Sequence, residues 1–380
     1  MLDDMEVSSA MEKMSVQQRG GGAGGAGGAA VCHVCDGSCS GFQPHSWRKA
    51  CVRCGCSVAD HAPGGDVDDD QRMGRLLADS PCSHLTAKVK GGGGLRLYKR
   101  NRMIVTNPVV SRKDPTFNTT TYEWAPGGLN QTLAMQYMEL IPESQRPVSG
   151  TAGALERRRQ LFSQLPIYDQ DPMKCQSLAT DQEITSMLLF VKSYKQEVLG
   201  VGEVALPGEG AALEEAAAQR TAKEAKERSN INKKEAKEHQ EHQEHQEHQE
   251  HQEHQEHGST NGTDDHTKTG YRCTGCHGDV AKESPAVYAE RAGYHGALWH
   301  PTCFVCSECG LGLVDLVYFW SNQKLFCGRH YCQGAWPRCS GCDELIFCPS
   351  FHTDEDGRTW HHHHHCCWRC GQSLDTPCHH

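Results

Sequence analysis

The sequence contains few aromatic residues and no long apolar run. Phe, Trp and Tyr make up 7% of its 380 residues. The longest apolar run, Met187 to Val191, is far shorter than the ~20 residues of a transmembrane helix, so we expect no membrane span. The first 30 residues lack the basic start and apolar segment of a secretory signal peptide. We therefore expect a reducing compartment, in which cysteines seldom form disulfides.

The sequence also lacks an excess of positive charge. The net charge is −10, and residues 271–380 hold eight Lys or Arg against eleven Asp or Glu. Because nucleic-acid-binding surfaces are basic, this balance argues against direct DNA binding. The exceptions are segment 88–113, with eight basic residues, and Arg157 to Arg159. They keep direct nucleic-acid binding open as an alternative, although charged helix faces or a nuclear-import signal explain them more simply.

The usual signs of catalysis are missing. We find no phosphate-binding glycine loop, no nucleophile triad and no carboxylate pair in a suggestive setting. The sequence therefore predicts no catalytic residues, no small-molecule substrate and no enzyme.

Cysteine and histidine, in contrast, are abundant, with 22 and 24 residues. In the stretch LWHPTCFVCSEC (298–309) four of them follow one another at a spacing of three. A Cys-x2-Cys pair precedes this run and a Cys-x2-His pair follows it. The eight candidate zinc ligands are Cys273, Cys276, His300, Cys303, Cys306, Cys309, Cys327 and His330.

Eight such ligands suffice for two tetrahedral Zn²⁺ sites. Sequential pairing predicts one site of Cys273, Cys276, His300 and Cys303, and a second of Cys306, Cys309, Cys327 and His330. Four protein ligands leave no position for water or substrate, so these ions would be structural. A hairpin over 317–326 would bring Cys327 back to the metal, and Trp299 and Phe304 would supply a small core. A RING module is disfavoured because Ala297, Leu298 and Trp299 stand where it needs a cysteine.

The motif begins again eight residues after His330. Trp360-His361 repeats Trp299-His300, which predicts a further zinc site of Cys339, Cys342, His361 and His364. The same register makes Cys367 and Cys370 ligands of a second ion. Only ten residues follow Cys370, whereas the first unit needs 18 positions from Cys309 to Cys327. We therefore expect the second half of this unit to be incomplete.

A third cysteine cluster lies near the N-terminus. Its two Cys-x2-Cys pairs, Cys32 with Cys35 and Cys51 with Cys54, form a candidate zinc site. Further ligands are available in Cys39, His45, Cys56 and His61. The alternative is a loosely ordered cysteine-rich region, and the spacing alone does not decide which residues pair.

Between these clusters the chain carries helix signals. Apolar stripes include Leu129, Leu133, Tyr137, Leu140 and Ile141, then Leu155, Leu161, Phe162 and Leu165. A Thr180-x-x-Glu183 capping box predicts a helix ending at Gly200, and Met73, Leu76 and Leu77 mark a short helix upstream. Segment 207–270, with EHQ repeated from Glu238 to His257, is typical of a charged, disordered linker.

These features resemble the PET–LIM family, which includes the prickle and testin proteins. RNRMIVTNPVVSRKDPTFNTTTYEWAP and LPIYDQDPMKC resemble a PET domain, and the cysteine spacing resembles LIM domains. The expected fold is multi-domain, with a small mainly helical PET domain and tandem LIM domains of short, zinc-bound hairpins. The expected boundaries are 1–30 for a Gly-rich tail, 31–65 for the cysteine-rich region, 90–206 for PET, 207–270 for the linker, 271–336 for the first LIM domain and 337–380 for the second.

The resemblance also implies a function. The family implies a non-enzymatic adaptor of cytoplasm and nucleus that binds Zn²⁺ and partner proteins. The branch of LIM and cysteine-rich domains proteins, which the chain resembles most, implies a transcriptional co-repressor that binds GATA-type activators instead of DNA. A cytoskeletal or adhesion scaffold is the alternative within the same family.

Overall fold

The computed structural model describes residues 32, 35, 39, 41–57, 61, 66–89, 94–109, 116–223, 226, 270–294, 296–367 and 372–374. The Gly-rich segment 1–30 and the EHQ repeats, expected from the sequence to be a tail and a disordered linker, lie outside these residues. Cys370 lies outside them as well.

Residues 66–205 combine helices with two hairpins. The helices are α1 (Asp66–Leu77), α2 (Gln131–Leu140), α3 (Ala152–Phe162) and α4 (Asp181–Ser193). One hairpin pairs β1 (Thr86–Lys88) with β2 (Arg96–Tyr98), and the other pairs β3 (Met103–Val109) with β4 (Thr116–Tyr122). The PET region is thus helical, as expected, with two hairpins that were not expected from the sequence.

Side-chain caps explain where these helices begin. Asn130 and Thr151 accept hydrogen bonds from the backbone of α2 and α3, and the predicted capping box of Thr180 and Glu183 is present at α4. The short helix predicted around Met73 is confirmed as α1. Of the predicted stripes, Leu140 and Leu155 are wrong: they are 42% and 53% exposed, at the end of α2 and on α3.

The end of α4 differs from the prediction. The helix stops at Ser193, a π-helical turn covers Tyr194–Val198, and strand β5 (Leu199–Val201) follows. Gly200 is therefore a strand residue and not a helix terminus. A β-carbon at this position would overlap the phenol group of Tyr318. The glycine is needed for close approach between two chain segments.

The region after 270 consists of short antiparallel strands. They are β7 (Tyr271–Arg272) with β8 (Asp279–Val280), β9 (Ala286–Tyr288) with β10 (Leu298–Trp299), and β11 (Val317–Ser321) with β12 (Lys324–Phe326). The last pair confirms the predicted hairpin. Its two turn residues, Asn322 and Gln323, have φ of 49° and 59°, as a two-residue primed turn requires. Residues 210–223, part of the segment predicted to be a disordered linker, instead form helix α5, and its Ala217 is buried in the core beside the first LIM unit. Helix α6 is Gly328–Ala335.

The PET region and the first LIM unit share two sheets. Strand β5 pairs antiparallel with β11, so that the order is β12-β11-β5. Strand β6 (Glu203–Ala205) pairs antiparallel with β9, in the order β10-β9-β6. Phe319 of β11 and Tyr194 beside β5 are both fully buried, with ring centroids 5.4 Å apart. Two segments separated by the linker therefore form a common core.

The second LIM unit contributes one short hairpin, β13 (His352–Thr353) with β14 (Thr359–Trp360). A buried ion pair ties its start to the PET region. Arg338 Nη2 lies 2.5 Å from Asp169 Oδ2, and their side chains are 4% and 0% exposed. Charges so well removed from water are tolerated in a fold when they are paired.

Candidate zinc centres

The first predicted set converges at the start of the LIM region. The turn after β7 carries Cys273 and Cys276, and His300 with Cys303 comes directly after β10. Their ligand atoms all lie within 4.8 Å of one another. His300 directs Nδ1 at the sulfurs of Cys276 and Cys303, at 3.4 and 3.8 Å. Its other nitrogen lies 3.1 Å from the carbonyl oxygen of Asp279, the outer hydrogen bond that orients many metal-binding histidines.

The second set lies between the hairpin β11–β12 and helix α6. Cys306 and Cys309 stand on a turn that ends at Gly310, whose φ of +70° suits glycine. Cys327 precedes α6 and places His330 in its first turn. His330 Nδ1 is 3.7 Å from Cys306 Sγ and 3.2 Å from Cys327 Sγ. The four ligand atoms again lie within 4.8 Å of one another.

The third set repeats the geometry of the first. His361 N–H donates to Cys339 Sγ at 3.4 Å, as His300 N–H donates to Cys273 Sγ at 3.4 Å. In both turns the residue after the second cysteine has a left-handed backbone, His277 in one and Asp343 in the other. The set is Cys339, Cys342, His361 and His364, and all four side chains are buried. The shared backbone pattern supports the register read from Trp360-His361.

The predicted second ion of this unit is only partly described. Cys367 N–H donates to Gln372 O at 2.7 Å, which matches the bond of 2.9 Å from Cys306 N–H to Leu311 O. Cys367 therefore occupies the position of Cys306. Its predicted partner Cys370 lies outside the described residues, and no ligand set forms around Cys367 among the residues that are described.

The donor spacing fits Zn²⁺. Zinc bonds of about 2.3 Å to sulfur and about 2.0 Å to nitrogen give tetrahedron edges of about 3.8 Å between sulfurs and about 3.6 Å between sulfur and nitrogen. Cys342 Sγ to His361 Nδ1 is 3.5 Å, and Cys339 Sγ to His364 Nδ1 is 3.6 Å. Thiolate and imidazole are the ligands of structural zinc, and four of them close each site.

The N-terminal cluster forms a different set from the one predicted. Cys51 and Cys54 lie with Cys39 and His61, and all four ligand atoms are within 4.8 Å of one another. The predicted Cys32 belongs to a second group, with Cys54 and Cys56, and the predicted Cys35 packs beside the buried cysteines. Spacing could not show this because several pairings of these cysteines are equally short. His45 joins neither group: its Nδ1 accepts hydrogen bonds from the backbone of Trp47 and Arg48.

The loop between Cys39 and Cys51 contacts the second LIM unit. Trp47 stacks on His364, Arg48 Nη2 donates to Cys366 O at 3.2 Å, and Lys49 Nζ lies 2.8 Å from Glu344. No sequence pattern predicts this contact, which joins residues more than 290 positions apart.

Each of the three complete sets in the LIM region supplies four protein ligands. Within the described part of the chain, no helix is long and apolar enough to cross a bilayer.

Comparison with known proteins identifies both types of domain. The PET Domain family matches residues 103–205, and the LIM domain family matches residues 273–335. LIM domains bind zinc, in agreement with the Cys and His clusters described above.

Relatives match nearly the whole chain. LIM and cysteine-rich domains protein 1 of Homo sapiens is 49% identical over 371 residues, which is 97% of this chain and 92% of the relative. Testin of Rattus norvegicus is 42% identical over 371 residues, and testin of Xenopus laevis is 43% identical over 367 residues. These two matches cover 97% and 96% of this chain, and 80% and 78% of the testins. The chain therefore belongs to the family of PET and LIM domain proteins that includes testin and LIM and cysteine-rich domains protein 1.

Proposed function

We propose that this family member is a zinc-dependent adaptor that acts as a transcriptional co-repressor, binding GATA-type transcription factors without contacting DNA itself. Membership of the PET and LIM family implies a protein-interaction adaptor. The finer role is supported by the resemblance to the LIM and cysteine-rich domains branch. We place its action in nucleus and cytoplasm.

The observation that carries the proposal is the closure of the metal sites. Each complete set in the LIM region offers four protein ligands, so a bound ion would have no position left for water or substrate. The zinc ligands that we propose are Cys273, Cys276, His300, Cys303, Cys306, Cys309, Cys327, His330, Cys339, Cys342, His361 and His364, with Cys367 and Cys370 for a further ion. Ions held in this way stabilise a surface and do not transform a ligand, which suits an adaptor.

The internal pairing of basic residues supports a role without DNA contact. Arg100, in the basic segment 88–113, lies 2.9 Å from Asp70 and has a side chain that is 6% exposed. Arg157 donates to the backbone of Val314 and Asp315. Side chains engaged inside the fold are poorly placed to neutralise phosphates.

A groove beside the first zinc site of the first LIM unit is the partner surface that we propose. It has a volume of 440 Å³ and is lined by Trp299, Trp320 and Leu325 together with the ligands Cys276 and Cys303. Aromatic side chains in such a groove are suited to protein recognition. Since its walls include metal ligands, its shape depends on the ions.

The test is a pull-down of the full chain with a GATA-type zinc-finger protein, in the presence of nuclease. We expect capture to survive nuclease, to fall at least about tenfold for Trp320→Ala, and to remain unchanged for the exposed control Phe351→Ala. Capture that disappears with nuclease, together with salt-dependent binding to random duplex, would instead indicate direct nucleic-acid binding.

The cytoskeletal or adhesion scaffold is the second candidate. The 42% identity to a testin over 97% of the chain favours neither branch of the family exclusively. Capture of actin-associated proteins by the full chain, with no capture of GATA-type factors, would support the scaffold and exclude the co-repressor.

A further inference from the structure

Cys54 belongs to both metal-binding groups of the N-terminal cluster. One group is Cys39, Cys51, Cys54 and His61, and the other is Cys32, Cys54 and Cys56. Within each group the ligand atoms are no more than 4.8 Å apart. A single sulfur therefore lies within reach of two positions for an ion.

The first group has the geometry of a complete tetrahedral site. Cys39 Sγ lies 3.7 Å from Cys51 Sγ and 3.6 Å from His61 Nε2, close to the edges of about 3.8 and about 3.6 Å that zinc requires. Cys54 Sγ is 3.2 Å from the same nitrogen. His61 Nδ1 lies 2.8 Å from Ser57 O, so the ring carries its proton there and presents Nε2 as the ligand.

The second group lacks one ligand, and Cys35 is placed to supply it. Cys32 and Cys35 form a Cys-x2-Cys pair, the spacing with which a turn holds one ion. Cys32 is buried at 2% exposure, and Cys35, Cys54 and Cys56 pack against the same cysteine cluster. The sulfur of Cys35 is not among the three that lie within 4.8 Å of one another, so the Cys35 side chain would turn toward them to complete a site of four sulfurs.

Among the described residues of this segment, two complete sites are possible only if one ligand is shared. Two tetrahedral ions have eight coordination positions, and the two groups with Cys35 provide seven side chains. His45, the other described histidine of the segment, uses Nδ1 to accept backbone hydrogen bonds from Trp47 and Arg48. One bridging thiolate supplies the eighth position.

We propose that residues 32–61 hold a two-zinc cluster in which the Cys54 thiolate bridges the ions. Cys39, Cys51 and His61 complete one site, and Cys32, Cys35 and Cys56 complete the other. Gln43 N–H donates to Cys51 Sγ at 3.5 Å and so helps to stabilise the negative charge of the cluster. The loop from 42 to 50, which carries Trp47, is then anchored by ligands at both ends.

Cadmium replacement tests the bridge directly. The full chain is loaded with ¹¹³Cd²⁺, whose NMR shift reports its ligands and whose scalar coupling to a second ¹¹³Cd passes through a shared sulfur. We expect one signal typical of four sulfurs and one typical of three sulfurs and a nitrogen, coupled to each other. Two uncoupled signals, or a single signal from this cluster, would overturn the bridge.

Serine variants assign the signals. Cys56→Ser is expected to alter the four-sulfur signal and to abolish the coupling, whereas Cys54→Ser alters both signals of the pair. His45→Ala and Cys175→Ser are the matched controls and should leave the pair unchanged. The signals of the first LIM unit show in each variant that the remainder of the chain is folded. Zinc counts from native mass spectrometry should fall by two for Cys54→Ser and by one for Cys56→Ser, and a fall of one and zero would contradict the proposal.

Discussion

The indole ring of Trp47 lies parallel to the imidazole ring of His364, with centroids 4.2 Å apart and planes inclined by 8°. His364 is one of the zinc ligands that we propose. The N-terminal cluster therefore contacts the metal site of the second LIM unit through the side chain of Trp47. Residues at the two ends of the chain thereby form one assembly.

Trp47→Ala should weaken this assembly. Loss of the stack is expected to cost about 1 kcal/mol and to raise amide hydrogen exchange in residues 41–57 and 337–367. Bound zinc should stay constant, because Trp47 is not a ligand. Exchange unchanged from that of the parent chain would show that the stack contributes nothing to holding the two regions together. Val52→Ala, at an exposed site directly after this loop, is the control.

Gly200→Ala should destabilise the joint between PET and LIM regions. The added methyl would overlap the Tyr318 ring on strand β11, and overpacking of this kind costs about 2 kcal/mol. Gly127→Ala is the matched control, since nothing lies within 4 Å of a β-carbon there. The free energy of unfolding, measured with urea, should fall for the first variant alone. Equal values for the two variants would count against the shared sheet.

Arg338→Leu should be among the most damaging single changes. It would leave the fully buried Asp169 without its cation, at a cost of about 3 to 5 kcal/mol. The double variant Asp169→Leu with Arg338→Leu should recover much of this loss, because no unpaired charge remains. Thermal unfolding of the parent chain, Arg338→Leu and the double variant gives the comparison. A double variant less stable than Arg338→Leu would refute this account of the pair.

The buried carboxyl of Asp69 is expected to make the stability of the folded chain depend on pH. Burial raises the pKa of its carboxyl to about 6, although Arg100 and Arg72 act in the opposite direction. The unfolded value is about 3.9, so between about pH 4 and 6 the folded chain binds the proton more tightly. Stability contributed by this group therefore falls as the pH rises through that window and then stays low.

Asp69→Asn should remove the loss of stability that comes from ionising this buried carboxyl. The side chain is fully buried, and neither carboxylate oxygen has a hydrogen bond to any of the described residues. We expect the variant to be more stable than the parent chain by about 1 kcal/mol at about pH 8, with a smaller difference at about pH 5. Urea unfolding at both pH values measures the difference in stability between the variant and the parent chain. A difference that grows as the pH falls would reverse the sign and contradict the explanation.

The LIM ligand sets were predictable because their spacing is restrictive. Once Cys273 and Cys276 share an ion, a second close pair must complete the site, and His300 with Cys303 is the next pair along the chain. The same rule failed near the N-terminus. There Cys39 and His61 replace Cys32 and Cys35 beside Cys51 and Cys54, since six cysteines and three histidines within thirty residues permit many short pairings.

The union of PET and LIM regions could not be predicted from periodicity. Strands β5 and β6 have three residues each, too few to show an alternating pattern. Their partners are more than 80 residues away, beyond the linker. The sequence pattern therefore predicts a helix terminus at Gly200. In the structure this glycine allows strand β5 to lie close to Tyr318.

The central claim is that bound zinc keeps the region after residue 270 folded. Because β5 and β6 complete the sheets of the first LIM unit, the full chain is the proper sample. Amide hydrogen exchange is measured before and after a chelator has removed the metal, with removal verified by native mass spectrometry. We predict that amides such as those of Cys306 and Cys339, protected by hydrogen bonds in the turns that hold the ligands, exchange far faster in the metal-free chain. Protection that is unchanged after complete removal of zinc would contradict the claim.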